Sequence, residues 1–163
     1  MASFRKDMSF DRIIGHKRSI DILNKHIANQ RLAHAYLFCG PHGVGKASTA
    51  KAFARSLQCP NNGDDNCPIC KRIDENNYSD VEIVDYDWQA QAVARNKKQR
   101  TSQRQTLGID AIHVLQTHVS LKPMEGKYKI FIIDHADTMT PEAVNSFLKI
   151  LEEPPSHTIF VLI

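Results

Sequence analysis

Residues 35–49 read Ala-Tyr-Leu-Phe-Cys-Gly-Pro-His-Gly-Val-Gly-Lys-Ala-Ser-Thr, and this stretch decides the fold. A short apolar run gives way to glycines and then to a helical pattern, the order of a strand, a phosphate-binding loop and a helix. Glycine torsions turn backbone N–H groups toward one point, Lys46 adds a positive charge, and the helix adds the positive end of its dipole. The spacing matches G-x-x-x-x-G-K and predicts a polyphosphate cradle formed by Gly40, Gly43, Val44, Gly45 and Lys46.

The magnesium-binding position of this motif is altered. The residue after the lysine is normally a Ser or Thr whose hydroxyl binds Mg²⁺, whereas this chain has Ala47. Ser48 comes one residue later, and one residue turns a position on a helix by about 100°. We therefore expect Ala47 and Ser48 to lie at the nucleotide site without a hydroxyl in place, so that Mg²⁺ binds weakly or not at all.

The composition indicates a single globular domain. Of its 163 residues, 42% are hydrophobic and 24% are charged, which is ordinary for a soluble protein. We expect a cytoplasmic protein with no membrane partner, because the sequence has no long apolar run and no apolar signal segment at its start. The net charge of +3 neither favours nor excludes nucleic acid.

Apolar strands alternate with amphipathic helices along the chain. Helices are predicted over residues 18–29, from the phosphate loop to Gln58, over Ile109–Val119 and from Pro141, and strands over Val81–Val84, 128–134 and 158–163. The last helix is predicted to be capped by Thr140 and to bury Val144, Phe147, Leu148 and Leu151. Strands without polar alternation are buried on both faces, so we predict an α/β fold with a parallel sheet between layers of flanking helices.

A carboxylate follows the most apolar strand. Asp134 is predicted at the carboxyl edge of the sheet beside the phosphate loop, where it would contact Mg²⁺ through water. In hydrolytic phosphate-loop proteins the next residue is typically a glutamate that polarises the attacking water, but this chain has His135. An imidazole is a poorer substitute for that carboxylate. Together, Ala47 and His135 argue against hydrolysis at this site and leave open whether ATP or ADP binds without turnover.

Several segments together resemble a known family. They are residues 10–15, residues 33–38, the phosphate loop, the cysteine-bearing insert, residues 127–137 and residues 143–155. In this order they are similar to the bacterial clamp-loader subunits of the DNA polymerase III holoenzyme, which have a RecA-like AAA+ phosphate-loop fold. A branch-migration motor would share residues 10–15 but not the cysteine insert or the ending at residues 151–155.

Within that family, the altered site separates two types of subunit. Gamma/tau-type subunits keep the hydroxyl and an Asp-Glu pair, whereas the ATPase site has decayed in the delta-prime type, which Ala47 and His135 therefore favour. The alternative is a gamma/tau-like ATPase with unusual substitutions. The resemblance implies a stator-like role in ATP-driven loading of the sliding clamp onto primed DNA, with gamma/tau and delta subunits as partners.

The resemblance also implies that residues 1–163 are only part of an AAA+ domain. The strand at residues 158–163 is expected between the phosphate-loop strand and the Asp134 strand. Because the sequence stops within that strand, we expect exposed apolar surface. The end of the AAA+ core, the lid, the collar and a Ser-Arg-Cys motif whose arginine completes a neighbour's ATP site are expected outside these residues.

Three cysteines, Cys59, Cys67 and Cys70, have the spacing C-x7-C-x2-C within an insert at about residues 59–76. In a cytoplasmic chain this spacing favours a tetrahedral thiolate site, with Zn²⁺ as the structural ion, over disulfides. The related subunits carry four cysteines in this knuckle, and alignment places Asp64 where one of them would be. The fourth ligand would be Asp64 or water; the alternative is reduced, metal-free thiols. Cys39 is predicted to be a small core residue.

Residues 95–104 carry five positive charges and no acid. Such a run can contact DNA phosphates, but a solvated polar loop is the simpler interpretation, since Trp88 is the only aromatic residue nearby. None of the histidines has a spacing typical of metal ligands.

Overall fold

A computed structural model describes residues 10–61, 63, 67–96 and 105–163. The helices are α1 (Lys17–Ala28), α2 (Lys46–Gln58), α3 (Pro68–Asp74), α4 (Tyr86–Asn96), α5 (Ile109–Val119) and α6 (Pro141–Glu152). The strands are β1 (Ala35–Leu37), β2 (Val81–Val84), β3 (Lys129–Ile133) and β4 (Thr158–Leu162). None of the described helices is long and apolar enough to cross a membrane.

The four strands form one parallel sheet in the order β1-β4-β3-β2. The last strand in sequence therefore lies between the phosphate-loop strand and the Asp134 strand, as expected. Phe160 of β4 is in register with Ala35 on one side and with Phe131 on the other. This order brings the carboxyl ends of β1, β3 and β4 together at one edge of the sheet.

Both faces of the sheet are buried, which confirms the predicted α/β fold with flanking helices. One face packs against α1 and α2, and its buried members include Leu23, Phe53, Ile130, Ile132, Ile159 and Val161. The other packs against α5 and α6, and its buried members include Leu115, Phe131, Ile133, Phe147 and Phe160. Successive residues of β3 and β4 point to opposite faces, and after the first residue of each strand, Lys129 and Thr158, every position is apolar.

Helix α6 begins as predicted but buries a different stripe. The Thr140 hydroxyl accepts a hydrogen bond from the Ala143 N–H, the predicted N-cap. The buried side chains are Ala143, Phe147 and Ile150. Val144 and Leu148 were predicted to be buried but are 39% and 48% exposed. They lie one residue, about 100°, around the helix from Ala143 and Phe147, which puts them at the edge of the buried face.

Two helices were not predicted. Helix α3 falls in the cysteine insert, where Pro68 occupies its first turn and only seven residues are helical. Helix α4 is amphipathic only weakly, although Asp85 marks its start by accepting a hydrogen bond from the Trp88 N–H at 2.7 Å. Both sequences lack a full apolar stripe, so local pattern gave no helix signal.

Candidate functional site

The phosphate loop connects β1 to α2 and has the backbone that its glycines predict. Gly43 and Gly45 have φ values of 79° and 95°, in the left-handed region that side chains disfavour. Gly45 is the N-cap of α2, so the first N–H groups of that helix face the loop. Thr49, in the first turn, donates its hydroxyl proton to the Gly45 carbonyl at 2.9 Å and so ties the helix to the loop.

Lys46 lies over the loop itself. Its ammonium group donates to the Gly40 carbonyl at 2.7 Å and to the Pro41 carbonyl at 3.1 Å. These bonds hold the positive charge at the mouth of the loop, beside the N-terminus of α2. A phosphate oxygen in the loop can accept from the same ammonium, with the helix dipole acting in the same direction.

His16 supports the loop from outside. It lies at the N-terminus of α1, and its Nε2 is 2.6 Å from the Val44 carbonyl oxygen. Since a carbonyl only accepts, Nε2 carries the proton in this contact. No local sequence pattern indicates this hydrogen bond, because its two residues are 28 positions apart.

The residues predicted to surround the phosphates share one open cleft of about 780 Å³. Its lining includes Gly40, Gly43, Gly45, Lys46, Ala47, Ser48 and Asp134. Val44 contributes to the loop through its contact with His16. Cys39 also lines the cleft and is exposed, so its predicted place in the core is wrong. It comes two residues after β1 ends, where the chain has already left the sheet.

The end of β3 brings Asp134 and His135 to this cleft. The Asp134 carboxylate accepts a hydrogen bond from the His135 N–H at 2.9 Å. His135 has a left-handed backbone, with φ 59°, and its ring stacks on Tyr86 of α4 at a centroid distance of 4.9 Å. The imidazole is therefore held by α4, at the position where a glutamate is expected in hydrolytic phosphate-loop proteins.

The three insert cysteines come together, all buried and none in a disulfide. Their sulfur atoms lie within 4.8 Å of one another, and among the residues that the structure describes they are the one group of three or more His, Cys, Asp or Glu side chains placed to hold a metal. Cys59 ends α2 and Cys67 begins α3, so the packing of these two helices forms the cluster. Three buried cysteines in this arrangement can bind a metal ion. Asp64 lies outside the described residues.

Hydrogen bonds prepare one of these thiols to lose its proton. Burial alone would raise the pKa of Cys67, but the N–H of Cys70, the Cys59 thiol and the N–H of Ile69 bring it below its ordinary value. The pKa of Cys70 is raised, first by burial and then by the neighbouring Cys59 and Cys67. Two closely spaced thiolates repel each other unless a cation lies between them, so the cluster is electrostatically suited to a metal.

The insert is also fastened to the rest of the fold. Buried Arg55, in the last turn of α2, donates from Nη1 to both carboxylate oxygens of Asp74 in α3, at 3.1 and 2.8 Å. Arg72 in α3 makes two bonds to Glu125, at 2.7 and 2.9 Å, in the loop before β3. Helix α2 therefore connects the phosphate loop at one end to the cysteine cluster at the other.

Comparison with known proteins decides the family. The model of the family described as DNA polymerase III, delta subunit, matches residues 15–163. This chain belongs to the DNA polymerase III delta subunit family. The match includes the phosphate loop, the cysteine cluster and the strand that carries Asp134.

Individual relatives of this family member carry two kinds of name. DNA polymerase III subunit delta' of Bacillus subtilis is 38% identical over 149 residues, covering 90% of this chain and 40% of the relative. Subunit tau of the same organism is 34% identical over 157 residues, covering 94% of this chain and 25% of the relative. The chain thus spans less than half the length of these relatives. The expected resemblance to delta-prime, with gamma/tau next, is confirmed.

A solved structure confirms the fold. The gamma subunit-related protein of Thermotoga maritima superimposes with a TM-score of 0.59 at 20% identity, covering 86% of this chain and 38% of that protein. At this identity the similarity concerns the fold alone.

The basic run of this DNA polymerase III family member falls mostly outside the described residues. Residues 95 and 96 end α4, and residues 97–104 are not described. Trp88, the aromatic residue near the basic run, donates from Nε1 to Glu82 at 3.3 Å, and its ring contacts His118 edge-on. The Trp88 ring is therefore already engaged within the fold.

Proposed function

We propose that this chain is a delta-prime-type subunit of the bacterial DNA polymerase III clamp loader that binds nucleotide without hydrolysing it. One observation supports this proposal above the others. The phosphate loop keeps its glycines, Lys46 and the N-terminus of α2 that follows it. Ala47, however, stands where a hydroxyl would bind Mg²⁺, and His135 stands where the catalytic carboxylate would be. Binding and hydrolysis depend on different residues, so a site altered in this way loses hydrolysis first.

Nucleotide binding would use the loop as it is built. The phosphates of ATP or ADP would accept hydrogen bonds from the N–H groups of Gly43, Val44, Gly45, Ala47 and Ser48, and from the ammonium of Lys46. Magnesium supplies charge neutralisation in such sites when it is bound. Here Asp134 is its remaining candidate partner, and its carboxylate already accepts the His135 N–H. We therefore propose that Mg²⁺ adds little to nucleotide affinity.

Membership of the family supports a role in the clamp-loader assembly. We propose gamma/tau and delta subunits as direct partners, and the sliding clamp and primed DNA as partners through the complex. In this role the subunit is a rigid stator in the cytoplasm. We further propose that residues 1–163 supply the phosphate-binding part of an AAA+ domain, and that the lid, the collar and the arginine for a neighbour's ATP site lie elsewhere in the protein.

The cysteine cluster fits a structural zinc ion. Three buried thiols with sulfur atoms within 4.8 Å of one another match the soft donor set that zinc prefers. We propose Cys59, Cys67 and Cys70 as ligands, with Asp64 or water as the fourth. Such an ion would hold the C-terminus of α2 to the N-terminus of α3.

The experiment is ATP turnover by the full-length protein, alone and mixed with its tau and delta subunits. We expect no turnover by the isolated protein beyond that of Lys46→Ala, and clamp loading by the mixture. Turnover by the isolated protein that Lys46→Ala abolishes would refute the proposal.

The names of the gamma/tau relatives support a second candidate function. In it, the protein is a gamma/tau-like ATPase that hydrolyses ATP despite Ala47 and His135. Under that alternative, the double substitution Ala47→Thr with His135→Glu should add little to turnover that already exists. Under the delta-prime proposal there is no turnover in the starting protein.

A further inference from the structure

The sulfur atoms available to the cysteine cluster are limited by the whole sequence. The protein has four cysteines, and three of them form the cluster. The fourth, Cys39, precedes α2, whereas Cys59 ends it. Helix α2 has 13 residues, and its length is therefore about 20 Å at 1.5 Å per residue. Cys39 cannot reach the cluster, so a metal there receives three thiolates from this chain and no fourth.

The three sulfur atoms of the cluster suit an ion that takes three ligands. The atoms lie within 4.8 Å of one another, and all three side chains are buried with Ile69 packed against them. Zinc in such a site needs a fourth ligand to complete its tetrahedron. A soft ion that takes three ligands in a pyramid needs none, because its lone pair occupies the remaining side.

We propose that Cys59, Cys67 and Cys70 bind trivalent arsenic. The three thiolates would be its ligands, in a pyramidal arrangement. Thiolates are soft donors and favour soft ions over hard ones. Arsenous acid, As(OH)₃, reacts with three thiols to form three arsenic–sulfur bonds and three water molecules. Each thiol proton leaves with one hydroxide, and arsenic remains trivalent, so no oxidant or reductant is required.

Binding would lock two helices together. Cys59 is the C-cap of α2, while Cys67 is the N-cap of α3 and Cys70 lies in its first turn. One ion bonded to all three closes a covalent link at the end of the helix that begins at the phosphate loop. The inference concerns this cluster alone and does not depend on the clamp-loader role.

The test counts thiols in the full-length, reduced protein after metal has been removed with a chelator. Sodium arsenite is added, and the thiols that still react with an alkylating reagent are identified by peptide mass spectrometry. We expect one arsenic per chain, a mass change of one arsenic atom minus three protons, and protection of the three cluster cysteines, while Cys39 reacts. Protection of two cluster cysteines only, or of none, would overturn the proposal.

Matched variants provide a second measurement. Cys39→Ser should bind arsenite as the unaltered protein does. Cys70→Ser should weaken binding by roughly tenfold or more, since one of three bonds is lost. Circular dichroism checks that each variant is folded. If Cys70→Ser misfolds, the thiol count on the unaltered protein decides alone. Equal affinity in a folded Cys70→Ser variant would show that only two thiols bind arsenic and would overturn the proposal.

Discussion

The imidazole ring of His135 lies flat on the ring of Tyr86, with centroids 4.9 Å apart and the two planes within 4°. The Tyr86 hydroxyl donates to Thr138 at 2.9 Å, and the Thr138 hydroxyl donates to the His135 carbonyl at 2.8 Å. Helix α4 therefore fixes both the ring and the backbone of His135.

Substitution of Tyr86 separates these two contributions. Tyr86→Phe removes the hydrogen bond to Thr138 and keeps the stack, so we expect a loss of about 1 kcal/mol in the free energy of unfolding. Tyr86→Ala also removes the stack and its packing, and we expect a total loss of about 3 kcal/mol. Urea denaturation measures both variants. Equal losses in the two would show that the ring contact with His135 contributes nothing.

The bond from His16 to the Val44 carbonyl should tune the phosphate loop. His16→Ala frees the loop to sample other conformations, and we expect nucleotide affinity to fall about fivefold, the equivalent of about 1 kcal/mol. His113→Ala, an exposed histidine on α5, is the matched control and should leave affinity unchanged. Calorimetry measures both. Unaltered affinity in His16→Ala would show that the loop holds its shape without this bond.

Gly126 lies close to the side-chain amide of Gln58. A Cβ atom at position 126 would overlap the Gln58 amide, which accepts from the Lys127 N–H at 3.2 Å and donates to the Tyr128 carbonyl. Gly126→Ala must displace that amide, and we expect a loss of about 2 kcal/mol in unfolding free energy.

Gly108→Ala is the control for this prediction. Its added Cβ would be 3.7 Å from Gln89, an ordinary contact, and its φ of −93° suits any residue. Denaturation should show a larger loss of unfolding free energy in Gly126→Ala than in Gly108→Ala. Comparable stabilities would mean that the Gln58 amide moves aside without cost.

Glu125 gives the fold a specific dependence on pH. Its bonds to Arg72, and next to Ser79, lower its pKa from 4.5 to about 2. A carboxyl group whose pKa is lower in the folded state stabilises that state at pH values above its pKa in the unfolded chain. This stabilisation is lost as the pH falls from 4.5 toward 2. Glu125→Gln should therefore lower the urea midpoint at pH 7 and converge with the unaltered protein near pH 2.

The pair is exposed, so the difference should be small and should shrink in high salt. Glu153→Gln, another exposed carboxylate, is the control. A difference between Glu125→Gln and the unaltered protein that stays constant from pH 7 to pH 2 would contradict the ion-pair account.

The sequence predicted elements whose signal is local. The glycines of the loop mark the start of α2, and Val81–Val84 and Ile109–Val119 were predicted with the bounds that the structure has. The position of β4 came from family resemblance, because residue pattern alone does not order parallel strands. Helix α3 was missed because seven residues cannot show a full apolar stripe.

The contacts around the candidate site were less predictable. His16 meets Val44 across 28 positions, and Tyr86 contacts His135 from a helix that has little pattern of its own. Such contacts depend on how separate helices and strands pack together, so the local sequence pattern does not predict them. Cys39 was assigned to the core because small apolar residues near strands are usually buried, whereas its strand has already ended at Leu37.

We propose that the phosphate loop binds nucleotide without depending on magnesium and without hydrolysing it. Calorimetric titration of ATP and ADP into the full-length protein, with and without Mg²⁺, tests this most directly, with Lys46→Ala as the control. We predict micromolar binding that Lys46→Ala abolishes and that Mg²⁺ changes by less than about tenfold, or 1.4 kcal/mol. Binding that requires Mg²⁺, or no binding by a folded sample, would contradict it.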